Sequence, residues 1–480
     1  MKLYYVVVRF IRLANHLYFV EARASGAEKV PSEGPVMLAA NHPSSILDTF
    51  LLATRLPRII HYLARSGLFR HPLLAGLLLR LGAIPLYRAG EETDHAGRNV
   101  EVFEKVYELF ERGGCVGIFP EGRNSPYGRL GEIRKGAARM AFGAEERNDW
   151  KLGLKIVPVG LNFENRELFM SAVMLCFADP IRVADYEPLY RQDPERAVEK
   201  LTADIRETLS RQVAHVEDVQ LGELASELAE VFGEDLGDRL RLDSGEEEKR
   251  PQPAYKRWLW ALVAWYRRSS PAETRAFVAR VYSRQHISRT LSRASEVEPQ
   301  TVESLRNQLE RYKDHLRQTE FRHDLAHSLS KRATRERLIR SRMTLYAVLM
   351  APVALFGLIH NAVPYLFAKF TARLSRDQAV RTFAYFGLGV VAFTVTYATF
   401  GFWLWRYTDL SLGWSLAYLA ALPPTGFAAL HYRRNILLYR DMILVRTLFW
   451  NNHELVTLVR HERRILLERF QQLADRYGNG

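Results

Sequence analysis

Val36-Met37-Leu38-Ala39-Ala40-Asn41-His42-Pro43-Ser44-Ser45-Ile46-Leu47-Asp48 runs from an apolar stretch of strand character, through a polar turn, into the start of a helix. A strand that hands over to a helix across a chemistry-bearing turn marks an α/β site at the strand's carboxyl end. Ser44 and Ser45 stand where a helix beginning near Ile46 wants a hydroxyl cap. Within the same turn His42 and Asp48 can serve as a general base and the carboxylate that orients it. The imidazole takes a hydroxyl proton while the carboxylate holds the other ring nitrogen and stabilises the imidazolium.

Three further motifs follow in order. Gly82-Ala83-Ile84-Pro85-Leu86-Tyr87-Arg88 ends a strand-like run on an arginine, whose guanidinium can grip a phosphate with two hydrogen bonds. Phe119-Pro120-Glu121-Gly122-Arg123-Asn124 follows an apolar run. There Gly122 permits close backbone approach, Glu121 can bond an acceptor hydroxyl and Arg123 adds positive charge. Arg134 and Lys135, just before Gly136, either extend that anion site or are surface charges at a helix start. Val157-Pro158-Val159-Gly160-Leu161-Asn162 closes the set as an apolar strand. The pattern predicts strands over Val36–Ala40, Ile59–Ala64, Ala83–Tyr87, Cys115–Phe119, Ile156–Leu161 and Val173–Phe177, with a one-faced helix over Arg98–Arg112. The fold class is therefore α/β, with its motifs where strands give way to loops or helices.

A chain of 480 residues with a formal charge of +13 suits a nucleic acid or an anionic membrane surface. The apolar runs 344–367, 380–405 and 411–430 decide for the membrane, since each approaches or exceeds the length that crosses a hydrocarbon core of about 30 Å. Much of the excess charge flanks these runs, and no base-stacking or groove-reading motif accompanies it, which argues against a nucleic-acid partner. Lys331, Arg332, Arg335, Arg337, Arg340 and Arg342 precede the first run, and Lys369, Arg373, Arg376 and Arg381 follow it, so both flanks read as cytoplasmic. With Pro352, His360, Asn361 and Pro364 inside it, that run reads as kinked or re-entrant. The next two runs, joined by Arg406-Tyr407-Thr408-Asp409-Leu410 and followed by Arg433, Arg434 and Arg440, read as a transmembrane helical hairpin. His360 and Asn361 are polar groups at a costly depth, suited to a lipid headgroup, a protein partner or a kink.

The expected organisation is an amphipathic membrane-associated helix over 1–26, a catalytic domain over 27–225 and a soluble helical region over 226–342 with a linker near 243–253. A membrane region over 343–435 and a charged amphipathic C-terminal helix over 436–480 complete it. Cys115 and Cys176 lack metal-ligand spacing and read as buried reduced thiols. His323 and His327 share a helical face beside Asp324, but no third ligand stands in register, so no metal is expected.

The four motifs, in this order between Ala27 and Pro180, resemble those of the glycerolipid acyltransferases. The resemblance implies a mixed sheet flanked by helices. It implies His42 as general base and Asp48 as its partner, with Arg88, Glu121, Gly122, Arg123 and Lys135 at the phosphate-bearing acceptor and Val157, Pro158 and Val159 in the acyl-side wall. The acyl donor would be acyl-CoA or acyl carrier protein, with no cofactor. Five residues separate His42 from Asp48 where the common signature has four, a spacing similar to that of the fungal-type glycerol-3-phosphate and dihydroxyacetone-phosphate acyltransferases. Arg123-Asn124 in place of small residues, and a Leu168-Phe169-Met170 stretch without a basic residue, depart from that subgroup. Glycerol 3-phosphate, lysophosphatidic acid or another lysolipid stays open as acceptor, as does a non-catalytic lipid-binding role. The arginine-rich, lysine-poor composition, with no organelle address, reads as a bacterial inner-membrane protein facing the cytoplasm.

Overall fold

The computed structural model describes residues 2–19, 21–44, 46–70, 72–87, 95–122, 130–164, 171–213, 219–239, 271–318, 336–373, 378–451 and 453–478. The chain divides into two compact units. The first holds residues 1–229, 233–246 and 269–289, and the second holds the rest.

The first unit opens with helix α1 (Lys2–Tyr18), strand β1 (Glu21–Ser25), β2 (Val36–Ala40), α2 (Ile46–Arg55), β3 (Ile60–Arg65), α3 (Pro72–Arg80) and β4 (Ile84–Leu86). It continues with α4 (His95–Glu111), β5 (Cys115–Ile118), α5 (Gly136–Arg147), β6 (Lys155–Phe163), β7 (Ala172–Phe177) and β8 (Ile181–Arg182). Helices α6 (Glu187–Gln192), α7 (Pro194–Gln212) and α8 (Val219–Arg239) follow, then α9 (Pro271–Val297), whose residues up to Arg289 belong here. The strands form one mixed eight-stranded sheet in the order β1-β7-β6-β2-β5-β3-β4, with β8 beside β6. Ladders β2–β5, β2–β6, β5–β3 and β3–β4 are parallel, so the strands that lead into all four motifs end at one edge of the sheet. Strand β2 is fully buried, as a central strand of a parallel segment must be. Its Met37 and Ala39 join Val106, Phe110, Phe142 and Ile205 in the main core. Each aromatic in that group contributes about 1.5–3 kcal/mol by leaving water.

The six expected strands form, within a residue or two at their ends. Two corrections apply at the termini of this unit. Residues 21–25 are not part of a helix over 1–26 but edge strand β1, parallel to β7. Glu21 and Arg23 alternate there with the small Ala22 and Ala24, and charges on an edge strand discourage further pairing. The unit also does not close near residue 225. Val281 of α9 packs on Ala172, Met174 and Cys176 of β7, Tyr282 Oη donates to Ser25 Oγ (2.9 Å), and Gln285 Nε2 donates to the Gln212 carbonyl at the end of α7 (2.7 Å). The expected linker at 243–253 lies outside the described residues.

The second unit comprises α10 (Pro299–Gln318), α11 (Glu336–Arg373), α12 (Gln378–Tyr407), α13 (Leu412–Asn451) and α14 (His453–Tyr477). Helices α10 and α14 pack together: His315 pairs with Glu462 at 2.9 Å, and Arg469 Nη1 donates to Ser304 Oγ at 3.3 Å. Among the described residues, length and composition suffice for a membrane crossing in Thr344–Thr371 and Leu388–Tyr407. In the expected span 411–430, Pro423, Pro424, Gly426 and several hydroxyl-bearing residues bring the mean hydropathy below that of those two segments.

Cys176 tests the cover supplied by α9. Burial pushes its thiol up to about 12, so almost no reactive thiolate exists at pH 8. A chain ending at residue 246 should lose that protection and alkylate Cys176 with maleimide within minutes, while the full chain stays unmodified by mass spectrometry. Equal protection in both would show that α9 is not needed to bury the strand.

Candidate active site

Asp48 organises the turn after β2. It sits in the first turn of α2, where the helix dipole favours a carboxylate, and is fully buried. Its Oδ2 accepts the Ser44 backbone N–H at 2.9 Å and lies 2.9 Å from His42 Nδ1. One oxygen of Asp48 thus holds both the backbone of the turn and the imidazole. A proton carried on Nδ1 would be donated to that oxygen, and Nε2 would then hold the free lone pair. The Phe119 ring stacks on the imidazole at 3.8 Å and 17°, and the Tyr62 ring lies parallel beyond Phe119 at 6.3 Å. Tyr62 is itself anchored, since its Oη donates to the Thr49 carbonyl of α2 at 2.9 Å.

Asn41, one residue before the base, ties β2 to β6. Its Nδ2 donates to the Leu161 carbonyl (3.2 Å) and its Oδ1 accepts the Leu161 N–H (2.7 Å). Asn99 holds the backbone of Tyr87 in the same two-way fashion, at 3.1 and 2.8 Å, immediately before Arg88. Gly82 has φ +83°, and a Cβ there would stand 2.6 Å from the His61 ring. Arg88 and Arg123 lie outside the described residues.

Glu121 takes a different part from the acceptor contact expected of it. It is 2 % exposed, with Oε1 accepting the His42 N–H (3.0 Å) and Oε2 accepting the Gly131 N–H (2.7 Å). Both oxygens thus serve the backbone, clamping the base-bearing turn to the loop before α5. Lys135 is also committed elsewhere: its ammonium pairs with Glu199 and Glu195 of α7 at 2.8 and 2.9 Å, and these bonds hold it above the usual lysine range. Arg134 is the cation at the turn. A Cβ on Gly122, whose φ is +67°, would lie 2.9 Å from Arg134 Nε, so only glycine lets that exposed guanidinium lie across the Glu121-Gly122 backbone.

Val157, Pro158 and Val159 are buried inside β6 between β2 and β7, with Val157 and Val159 at 0 % exposure. They are sheet core rather than an open wall, because both faces of β6 are covered. Sequence reasoning passed over Asn41, Phe119 as a stacking partner and Gly131. A buried asparagine at a strand end beside a candidate base was the available signal for the first. His323 and His327 lie outside the described residues, and among the described residues no three His, Cys, Asp or Glu side chains gather as for a metal.

Residues 21–162 match the family model described as Acyltransferase. The chain is 37 % identical over 112 residues to glycerol-3-phosphate O-acyltransferase 2 of Saccharomyces cerevisiae, covering 23 % of this chain and 15 % of the yeast protein. It is 25 % identical over 193 residues to a chloroplastic 1-acyl-sn-glycerol-3-phosphate acyltransferase of Brassica napus, covering 40 % and 52 % respectively. A solved structure, the 1-acyl-sn-glycerophosphate acyltransferase of Thermotoga maritima, aligns at 18 % identity and a TM-score of 0.32, over 42 % of this chain and 78 % of that one. The chain thus spans no more than about half the length of the yeast and plant relatives.

Glu121→Ala leaves two part-buried N–H groups without their acceptor, at a cost of up to about 1–3 kcal/mol each. Turnover of an acyl acceptor should collapse in Glu121→Ala and Glu121→Gln. The acceptor KM of Glu121→Gln should stay within about twofold of wild type, because the loss is of base placement. A large rise in KM at unchanged kcat would return Glu121 to the role of acceptor ligand.

Proposed function

We propose, from the acyltransferase domain at residues 21–162, that this chain moves a fatty acyl group from acyl-CoA or acyl carrier protein to a hydroxyl of glycerol 3-phosphate at a membrane surface. The observation that supports the mechanism is the His42–Asp48 pair, with Nδ1 2.9 Å from Oδ2, and the proton is assigned to Nδ1 on that contact. His42 Nε2 takes the proton of the acceptor hydroxyl as that oxygen attacks the thioester carbonyl. Asp48 stabilises the resulting imidazolium. The tetrahedral intermediate then collapses, breaking the carbon–sulfur bond, and the departing thiolate receives the proton from His42. An ester and a free thiol result, with no covalent acyl-enzyme.

Arg134 supplies charge for the acceptor phosphate beside Gly122, and Arg88 and Arg123 are proposed to join it. Phe119 closes one face of the imidazole and keeps water from it. Membrane association of this unit is supported by α1. The helix packs Tyr4 and Val8 inward and leaves Val6 and Phe10 about 60 % exposed, an apolar stripe next to Arg9 and Arg12. That stripe also gives a lysolipid acceptor a route from the bilayer, which makes lysophosphatidic acid the second reading.

Purified full-length protein in detergent should acylate glycerol 3-phosphate in preference to dihydroxyacetone phosphate and lysophosphatidic acid. His42→Ala should lower kcat by about 10²–10⁴-fold. Asp48→Asn should lower it by a similar factor, because the neutral amide no longer holds the Nδ1–H tautomer. Product from lysophosphatidic acid alone would select the second reading, and equal background from wild type and His42→Ala with every acceptor would defeat both. Arg134→Ala should raise the KM of a phosphate-bearing acceptor and leave hydrolysis of the acyl donor unchanged. An unaltered acceptor KM would remove Arg134 from the anion site.

A further inference from the structure

Hydropathy alone selects α11 and α12 as a pair of spans. The contacts along α11 select another pair. Near its start the Ala347 carbonyl accepts from Tyr432 Oη (3.1 Å), and the Tyr346 and Tyr432 rings lie 6.3 Å apart. Further on, Gly357 packs so closely on α13 that a Cβ would overlap the Thr425 carbonyl, and Asn361 Nδ2 donates to the Leu422 carbonyl (3.2 Å). As α11 advances from 347 to 361, its partners on α13 recede from 432 to 422, so the two helices run antiparallel. In a bundle that crosses up, down and up, the first and third helices are parallel. Helix α11 is therefore not the first of three ordinary spans.

Beyond Asn361 the partner changes. Tyr397 Oη donates to Asn361 Oδ1 (2.6 Å), and a Cβ on Gly389 would sit 3.7 Å from Ala368 Cβ. Advancing from 361 to 368 on α11 thus means receding from 397 to 389 on α12. Both ends of the apolar part of α11 lie beside the regions of α12 and α13 remote from their connecting turn at 408–411. Its middle lies beside regions nearer that turn, where His360 stands 5.2 Å from the Phe400 ring and 2.6 Å from Tyr418 Oη. Pro352 and Pro364 flank this middle and withdraw two backbone N–H groups from the helical ladder, which permits a bend.

We infer that α12 and the first half of α13 are the two membrane crossings, and that α11 is a re-entrant helix which enters and leaves the bilayer on one face. The inference rests on the membrane-bound reading above. Leu388–Tyr407 is 20 residues and spans roughly 30 Å at about 1.5 Å per residue. Trp403, Trp405, Tyr407 and Trp414 are exposed around the α12–α13 turn, the aromatic belt of a membrane–water interface, which sets that turn at the far surface. The occupant of the exposed apolar flank of α11, including Val348, Leu349, Leu358, Ile359, Val363 and Phe370, is the hydrocarbon of the near leaflet.

The polar groups at the bend are mutually satisfied, as that depth requires. His360 donates from Nδ1 to the Phe356 carbonyl (2.8 Å) and accepts the Tyr418 hydroxyl on Nε2, while Asn361 bonds all three helices. Two crossings also meet a parity condition within this unit. Helix α10 precedes the membrane region and α14 follows it, yet they pack on each other, so the chain must cross an even number of times. The basic flanks of α11 and Arg433 after the apolar half of α13 then share one face.

The test is site-directed labelling of the full chain in sealed vesicles with a membrane-impermeant maleimide, after an alkaline wash. Single cysteines are placed by Asn307→Cys, Lys369→Cys, Asp409→Cys and Asp475→Cys; native Cys115 and Cys176 are buried and stay silent. Each position must react once detergent is added, and each variant must retain wild-type melting. The expected result is that Asn307→Cys, Lys369→Cys and Asp475→Cys react from one side and Asp409→Cys only from the other. Reaction of Lys369→Cys from the side opposite Asn307→Cys overturns the inference, because α11 then crosses completely. Opposite sidedness of Asn307→Cys and Asp475→Cys overturns it through parity. Release of the protein by the alkaline wash would instead defeat the membrane reading on which it rests.

Discussion

A buried carboxylate that spends its charge on a backbone N–H and an imidazole is the constraint from which the first unit's candidate site is built. Asp48 has no exposure, and an isolated carboxylate there would shift its protonation or unfold the turn. Bonding the Ser44 N–H and the His42 ring makes its burial tolerable and holds the imidazole in place in the same step. Glu121 repeats the device across the sheet edge, joining His42 to Gly131 through one side chain. Glu145 repeats it without chemistry, accepting the Leu152 and Leu154 N–H groups where α5 turns into β6, and its burial raises its pKa. The position of His42 is thus set by two carboxylates, Asp48 in the first turn of α2 holding its ring and Glu121 after β5 holding its backbone N–H.

That arrangement explains which parts were legible. His42, Asp48 and the strand before them are close in sequence, so a local pattern of apolar run, polar turn and helix start encodes their geometry. The glycines were also readable as signals, although their reasons differ from close ligand approach. Gly82 avoids the His61 ring and Gly122 admits Arg134. Glu121, Lys135 and the residues 157–159 have long-range partners that a local sequence pattern does not announce. A glutamate after a strand looks the same in sequence whether its oxygens face a substrate or a backbone 79 residues away. A lysine at a helix start likewise gives no sign that Glu195 and Glu199 will claim it.

The closing elements of the sheet were the least legible. Edge strand β1 is five residues of Glu, Ala, Arg and Ser, whose intrinsic strand preference is weak; what makes it a strand is the open ladder of β7 beside it. The α9 segment is recognised by β7 through Val281, with Tyr282 and Gln285 fastening its flanks, contacts that span more than 70 residues in sequence. Neither element carries a periodic signal strong enough to locate its partner.

The consequence bears on how this domain is bounded. The family match begins at residue 21 and ends at 162, so it takes in β1, the motif strands and the base, while β7 and everything that covers it fall outside. The matched segment holds His42, Asp48, Glu121 and Arg134, the residues of the proposed site. Closure of the sheet is conferred by residues well beyond it. The Gln212 carbonyl shows the dependence at one atom, since it accepts from Asn162 at the end of β6 (3.0 Å) and from Gln285 of α9 (2.7 Å). A Cβ on Gly160 would overlap that same carbonyl, so the end of α7 is pressed onto β6 within the fourth motif itself. Removing α9 therefore reaches the strand that carries the fourth motif through a single backbone carbonyl, without touching His42, Asp48, Glu121 or Arg134.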